Sequence, residues 1–500
     1  MEVEYVIVQA GGKGSRMGHL TRNKPKALVP VGPRPMLFHL FEKFPEKKFL
    51  VIGDYQYDVL DRYLRTFAKV NYEMIDGRGD KGTCAGLGRA LELIPPGKPF
   101  MLIWCDLVLP NPFPIPEMSA NYIGISKGFT CRWSWDDNSF CENPSCEHGV
   151  AGLFLFKEKA ELQSVPANGE FVRWLSETEI TFSELPLSQT HEYGLLQEWE
   201  KIPTQKCRPF NRITVEDGRI RKEGIDKQGR ELAVREAAWY QKINGQNFSN
   251  IPTIFSYDPL IMEQIKGKNV YEYHDLTNAE KRRILEQLVA CLCAVQELES
   301  APADRSSFDN AYIGKTFGRL EKVWDLVPFG REKTMIVNGR KCRNVLYHKD
   351  ALAAKIAKYY PDRFRLLHGD CTFSNILLRE DGTPVLIDPR GYFGFTQFFG
   401  DPAYDWGKLY YSVVGNYDQF NLKRFSLDIT DKEVTLKIAS NGWEDMEQDL
   451  FELLDGRVDQ EQIKLIHAII WLSLTTYAWQ DYDSICGAFY NGLYYLEDVL

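Results

Sequence analysis

Leu366-Leu367-His368-Gly369-Asp370-Cys371-Thr372-Phe373-Ser374-Asn375-Ile376-Leu377-Leu378, followed by Val385-Leu386-Ile387-Asp388-Pro389-Arg390, is the stretch from which the rest of the chain is read. Two apolar runs flank Asp381-Gly382, a dipeptide that takes the positive φ of a tight two-residue hairpin. With those two residues as the turn, Asn375 falls opposite Asp388 at a non-hydrogen-bonded site, where facing Cα atoms sit about 4.5 Å apart. Pro384 falls at another such site, where its missing N–H costs the ladder nothing. An amide oxygen and a carboxylate side by side form the hard-oxygen arrangement that Mg²⁺ carrying nucleotide phosphates takes. Asp370, in the loop just ahead, is placed to accept a proton from an attacking hydroxyl.

These residues resemble the catalytic core of the choline kinase and aminoglycoside phosphotransferase family, a branch of the protein-kinase-like fold. The resemblance implies ATP as phosphoryl donor, Asp370 as catalytic base, and Asn375 and Asp388 as Mg²⁺ ligands. Upstream, Ile213-Thr214-Val215, Asp217-Gly218 and Arg219-Ile220-Arg221-Lys222 read as a hairpin, and Leu232 to Tyr240 as a helix. The family pairs a strand lysine with a helix glutamate to hold the ATP phosphates. Lys222 and Glu236 fit that role in order and spacing, with Lys227, in a polar turn, as the substitute and a plain surface ion pair as the alternative. Leu260 to Gly267 resembles the hinge between lobes, whose backbone at Glu263 and Ile265 would meet adenine. Ala279 to Leu298 has helical periodicity behind the N-cap signal Thr277-Asn278. Asp405 matches the helix-start acid that braces the family's catalytic loop. The Asp388-Pro389-Arg390-Gly391 run departs from the acidic residues choline kinases carry there. Arg390 therefore either faces an anionic or polyhydroxyl acceptor or stabilises the loop. Trp471, Tyr477, Trp479, Tyr482 and Tyr490 read either as a cage for a quaternary ammonium or as core.

The chain's other end carries a second unit. Tyr5 to Ala10 is a buried-strand pattern feeding Gly11-Gly12-Lys13-Gly14-Ser15-Arg16, where backbone N–H groups can approach a phosphate and a guanidinium can fork onto it. Asn23-Lys24-Pro25-Lys26 adds a second cationic cluster. Together they resemble the signature of the sugar-nucleotide and phosphocholine nucleotidylyltransferases, a Rossmann-like fold. The resemblance implies a phosphate cradle at Gly11, Gly12 and Gly14, with Arg16 and Lys26 as clamps on the triphosphate and the incoming phosphate. It also implies base and ribose contacts at Gly82-Thr83 and a Mg²⁺ ligand in Asp106, which ends the strand Phe100 to Cys105. His191-Glu192-Tyr193-Gly194 resembles the family's closing Asp-x-Gly segment, making Glu192 either a second metal ligand in place of the usual Asp or the start of a surface helix. Cys131, Cys141, Cys146 and His148 lie close enough to hold zinc or to stay separate thiols, and Trp133 and Trp135 either line the acceptor pocket or pack as a flap.

Bulk properties agree with two such units. Five hundred residues suffice for two or three domains, and 44% hydrophobic with 26% charged residues is ordinary globular composition. A net charge of −9 leaves no footprint for nucleic acid or an anionic membrane, and no apolar run nears the roughly 18 residues needed to span a bilayer. Eleven scattered cysteines and no secretory leader pattern fit the cytoplasm. The expectation is an α/β, Rossmann-like nucleotidyltransferase domain over residues 1–203, a linker bracketed by Pro203 and Pro209, and a bilobal protein-kinase-like (α+β) phosphotransferase domain over 209–500. The function implied is bifunctional: ATP phosphorylates a small aminoalcohol, polyol or sugar. The phosphomonoester is then coupled to an NTP, CTP favoured, with Mg²⁺ at both sites and pyrophosphate released. Fused choline kinase and phosphocholine cytidylyltransferase proteins are the nearest analogue, and the product would serve surface-glycan or lipid decoration. A chain with only the phosphotransferase active, or a non-catalytic nucleotide-sensing scaffold, is the alternative; the oligomeric state is open.

Overall fold

A computed structural model describes residues 2–202 and 211–500, so both linker prolines lie outside the described residues. The described residues fall into two compact units, the first comprising the 2–202 stretch with Gln480–Asp483, the second the remainder.

The first unit is Rossmann-like α/β. Four apolar runs become parallel strands in the order Phe100–Trp104, Tyr5–Gln9, Lys48–Gly53, Tyr72–Asp76. Gly149–Phe156, buried along its whole length, continues the sheet antiparallel beside Phe100–Trp104. Near-continuous apolar strands are what a sheet covered on both faces requires. One face packs on Leu87, Leu91, Phe171 and Leu175 from two short helices. Because the four strands run together, their carboxyl ends deliver Gly11, Gly53 and Asp106 to one edge, the ligand edge of such sheets. Trp133 and Trp135 are buried in this core, with Trp133 Nε1 donating to Glu170 Oε1 (2.7 Å), so they are packing residues and not a pocket wall or flap.

The second unit is α+β and bilobal. Its small lobe is an antiparallel sheet ordered Asn211–Glu216, Arg219–Gly224, Leu260–Glu263, Ile254–Tyr257, against which the helix Lys227–Asn244 packs. Asp217 and Gly218, both at positive φ, make the two-residue hairpin expected of Asp-Gly. Gly267–Asn269 then pairs with Ile376–Arg379, which pairs with Pro384–Leu386. The larger lobe is helical: Asn278–Leu298, with a full capping box at Thr277 and Glu280, together with Ala403–Val413, Glu447–Leu454 and Gln460–Leu474. Trp471, Tyr482 and Tyr490 are buried, Trp471 against Tyr411 and Phe420, so these three are core and line no ammonium cage; Trp479 is half-buried, and Tyr477 is exposed with the Arg319 guanidinium over its ring. Among the described residues no helix is long and apolar enough to cross a membrane.

The second Asp-Gly behaves differently from the first. Ile376 pairs with Leu386 and Leu378 with Pro384, so the loop is Glu380-Asp381-Gly382, one residue longer than expected. Arg379 N–H donates to Thr383 O (2.9 Å), Gly382 alone takes positive φ (+85°), and the Asp381 carboxylate accepts from Thr383 N–H (2.9 Å). This is the three-residue hairpin with a left-handed glycine at its end. The slip moves Asn375 opposite Ile387, whose N–H donates to Asn375 O (3.0 Å), and not opposite Asp388. Pro384 stays at a non-hydrogen-bonded site under either register.

Candidate functional sites

In the first unit, Gly14 sits at φ +64°, where a Cβ would lie 3.0 Å from the Lys26 side chain; the glycine lets the loop close onto that segment. Arg16 is exposed just beyond it. Gly11 and Gly12 complete the turn, with Gly11 O accepting from Tyr55 N–H (3.2 Å). The Leu107–Val108 strand pairs with His191–Glu192, which sets Glu192 next to the end of the Asp106 strand. Both carboxylates converge on Gly194: a Cβ there would lie 2.0 Å from Glu192 Oε1 and 2.8 Å from Asp106 Oδ2. Lys26 Nζ binds Asp106 Oδ2 (2.5 Å), while Asp106 Oδ1 is buried with no hydrogen-bond partner. Burial would raise the Asp106 carboxyl, but Lys26 and, more weakly, Arg16 hold it below the usual range. Burial and the neighbouring Asp106 push Glu192 up to about 7. An orphaned buried carboxylate oxygen beside a second carboxylate that resists ionising is a site short of positive charge. The donor set fits Mg²⁺, which binds one or two carboxylates together with substrate phosphates.

One expectation for this unit is modified. Lys24 does not join the cationic cluster; it is buried in an ion pair with Asp481 (3.2 Å) and with Asp483 of the same unit. Gly82 (φ +80°) packs on Gly169 so closely that a Cβ would meet Gly169 O at 2.2 Å, and Thr83 Oγ1 accepts from Phe171 N–H (2.8 Å). Thr83 O also accepts from Gln9 Nε2 (2.7 Å), so Gly82 and Thr83 lock two loops together at the rim. Cys131 is buried, Cys141 and Cys146 are exposed, and no group of three or more His, Cys, Asp or Glu among the described residues is placed to hold a metal.

In the second unit the strand lysine and helix glutamate meet. Lys222 Nζ lies 2.6 Å from Glu236 Oε2 and also binds Asp388, joining three expected residues in one network in which Lys222 and Glu236 are buried and Asp388 is partly exposed. Burial pushes Glu236 up to about 7, against the pull of Lys222. Lys227 lies exposed in the first turn of the helix and takes no part. Glu263 spends its N–H on Thr253 O (2.8 Å) and its carboxylate on Arg379 (2.7 Å).

The catalytic-loop candidates are fixed by backbone bonds. The Asp405 carboxylate accepts from His368 N–H (3.0 Å) and Gly369 N–H (2.7 Å). The His368 ring lies between Ile387 O (2.9 Å) and Asp370 N–H (3.2 Å); since a carbonyl only accepts, Nε2 carries the proton and Nδ1 receives. Burial depresses His368 to about 4, so it is a neutral peg between two loops and not an acid or base. Asn375 Nδ2 donates to Asp370 O (2.8 Å) and Oδ2 (3.2 Å), tying the amide to the carboxylate. Asp388 stands on a left-handed residue (φ +53°), a conformation the strand-register argument did not contain. Its carboxylate and the Asn375 amide oxygen are hard donors of the kind Mg²⁺ takes. Sequence reasoning missed Lys408, whose ammonium lies 2.9 Å from Asp370 Oδ1. The one signal available was its place one turn after Asp405 on the Ala403–Val413 helix.

Comparison with known proteins matches the two units separately. The MobA-like NTP transferase domain matches residues 6–135, and the phosphotransferase enzyme family matches residues 220–426. Ribitol-5-phosphate cytidylyltransferase of Streptococcus pneumoniae is 34% identical over 88 residues, 16% of this chain and 36% of that protein. The bifunctional protein GlmU of Methanococcus maripaludis is 32% identical over 69 residues, 13% of this chain and 16% of that protein. The chain thus spans well under half the length of these relatives. Among solved structures, CTP:phosphocholine cytidylyltransferase from Streptococcus pneumoniae is 18% identical with a TM-score of 0.34, covering 40% of this chain and 97% of that one.

Proposed function

From a chain that joins a MobA-like NTP transferase domain to a phosphotransferase-family domain, we propose a bifunctional enzyme whose two halves make successive bonds of one product. In the second unit Asp370 takes the acceptor's hydroxyl proton while Lys222, held by Glu236, orients the ATP phosphates. In the first unit the resulting phosphomonoester attacks the α-phosphorus of an NTP, CTP favoured, and pyrophosphate leaves. Arg16 and Lys26 neutralise the charge that develops there. Asp106 with Glu192, and Asn375 with Asp388, would hold Mg²⁺, which supplies charge neutralisation on the phosphates. The product is an NDP-activated group suited to surface-glycan or lipid decoration, made in the cytoplasm, where both nucleotides are found.

The observation that carries this reading is the convergence of Asp106, Glu192 and Lys26 in one unit and of Lys222, Glu236 and Asp388 in the other. A scaffold needs neither. The test is incubation with ATP, CTP, Mg²⁺ and an acceptor panel, followed by phosphorus NMR. Asp370→Ala abolishes the phosphomonoester signal and leaves conversion of added phosphomonoester intact; Arg16→Ala does the reverse. Loss of both steps in both variants, or of neither in either, refutes the division of labour.

A further inference from the structure

The acceptor side of Asp370 is crowded with positive charge. Lys408 pairs with Asp370. Arg390, next to the loop through its N–H on His368 O (2.8 Å), donates to the hydroxyls of Tyr404 (2.9 Å) and Tyr392 (3.2 Å). Lys315, from the helix Lys315–Val323, shares a small pocket with Arg390, Tyr392 and Tyr404, its ammonium 5.7 Å from the centre of the Tyr404 ring. One turn on, Arg319 donates to the Ser473 carbonyl and to Ser473 Oγ (3.2 Å). Among the described residues, the only carboxylate in ion-pair contact with any of these four cations is Asp370.

The cations act on each other and on the phenol between them. Burial, with Arg390, Arg319 and Lys408 nearby, drives the Lys315 ammonium well below the ordinary lysine value. The Tyr392 phenol is pulled down by Arg390 first, then by Arg235 and Arg319. Mutually repelling cations around a pocket are costly to fold unless a ligand relieves them; Asp370 offsets only part of the repulsion at Lys315, which among the described residues makes no ion pair or side-chain hydrogen bond of its own. A choline or an aminoglycoside would add positive charge to this cluster.

Resting on the kinase reading above, we propose that the acceptor hydroxyl belongs to a small molecule with its own anionic group, a carboxylate or a phosphate, held by Lys315 and Arg390. The transfer is balanced within the site. The bond from the γ-phosphorus to the bridging oxygen of ATP breaks, the bond from phosphorus to the acceptor oxygen forms, the hydroxyl proton passes to Asp370, and ADP leaves. Lys408, on the Asp370 carboxylate, orients it toward that hydroxyl. The product then carries two anionic groups, one of which the first unit consumes.

Four probes of similar size test this on the full chain: glyceric acid, glycerol 3-phosphate, glycerol and choline. Each is assayed for phosphoryl transfer from ATP and for thermal stabilisation of the ADP-saturated protein. One or both anionic probes are expected to exceed glycerol by at least 100-fold in kcat/KM and to be alone in raising Tm; which of the two does so identifies carboxylate or phosphate. Lys315→Met raises KM for the anionic probe at least 10-fold with kcat largely kept, and Lys315→Arg restores most of the loss. Stabilisation by the anionic probes without transfer upholds the anion site and fails the kinase reading. Equal or better use of glycerol or choline, or no stabilisation by either anion, overturns the inference, as does a Lys315→Met protein with unchanged KM.

Discussion

Replacing Gly194 by alanine inserts a single methyl group between the two carboxylates of the first unit. It would lie 2.0 Å from Glu192 Oε1, whereas ordinary contacts begin near 3.4 Å, so that carboxylate must retreat by about 1.4 Å. The retreat is mechanically easy because the clashing atom ends a flexible side chain, and Gly194 does not occupy a positive-φ conformation. The fold loses the Gly194 N–H bond to Glu192 (3.0 Å) and relieves a carboxylate that burial and Asp106 hold up at about 7. Those terms oppose each other, and the net stability change is expected within about 1 kcal/mol. Catalysis is less forgiving: a displacement of about 1 Å at a reacting centre costs on the order of 100-fold, or about 2.7 kcal/mol of barrier. The assay is phosphorus NMR of CTP with the phosphomonoester made by the kinase half, over a Mg²⁺ titration. Nucleotidylyl transfer is expected to fall about 100-fold with the half-saturating Mg²⁺ raised and phosphoryl transfer unchanged. A rate within threefold of the parent at unaltered Mg²⁺ dependence would remove Glu192 from the site.

Three other outcomes follow from the same geometry. Lys222→Met should lower phosphoryl transfer from ATP at least about 100-fold, through loss of its charge at the phosphates, while CTP turnover persists; separate assays of the two steps check this. Gly152→Ala, whose Cβ would fall 1.9 Å from the Trp104 ring at φ +89°, should destabilise the first unit by about 3–5 kcal/mol, read by urea unfolding. Burial raises Asp401 from 3.8 to about 6, so the folded state keeps a proton that the unfolded chain releases between pH 4 and 6. This group's contribution therefore declines as pH rises through that window, by up to about 3 kcal/mol. Asp401→Asn should accordingly gain on the parent between pH 4 and 7 in denaturation series; a penalty that grows with pH contradicts the assignment.

Much of the two-unit plan could be read from the chain because buried strands and glycine loops leave local marks. Tyr5–Gln9, Phe100–Trp104 and the Thr277 cap are visible as runs and spacings. Asp-Gly was a weaker guide: at Asp217-Gly218 it forms the two-residue turn, whereas at Asp381-Gly382 the carboxylate caps Thr383 N–H and a third residue enters the loop. Turn length depends on that side-chain bond, which the dipeptide does not encode. Asn375 and Asp388 were thus expected to be neighbours for a register that does not occur. The cations around Asp370 were illegible for another reason. Lys315, Arg319 and Lys408 come from two helices far apart in the chain, and only tertiary packing gathers them.

The left-handed backbone at Asp388 limits how that residue can be varied. Only glycine, asparagine and aspartate settle there cheaply; other side chains meet a steric toll of roughly 1–2 kcal/mol. Alanine and glutamate scanning at 388 would therefore report bending strain together with altered charge. Asparagine separates the two, keeping the shape of the main chain and the size of the side chain while deleting the negative charge that Lys222 meets. The bend acts as a filter on drift, leaving this position a vocabulary of three letters, of which one can bring a full negative charge to a metal ion.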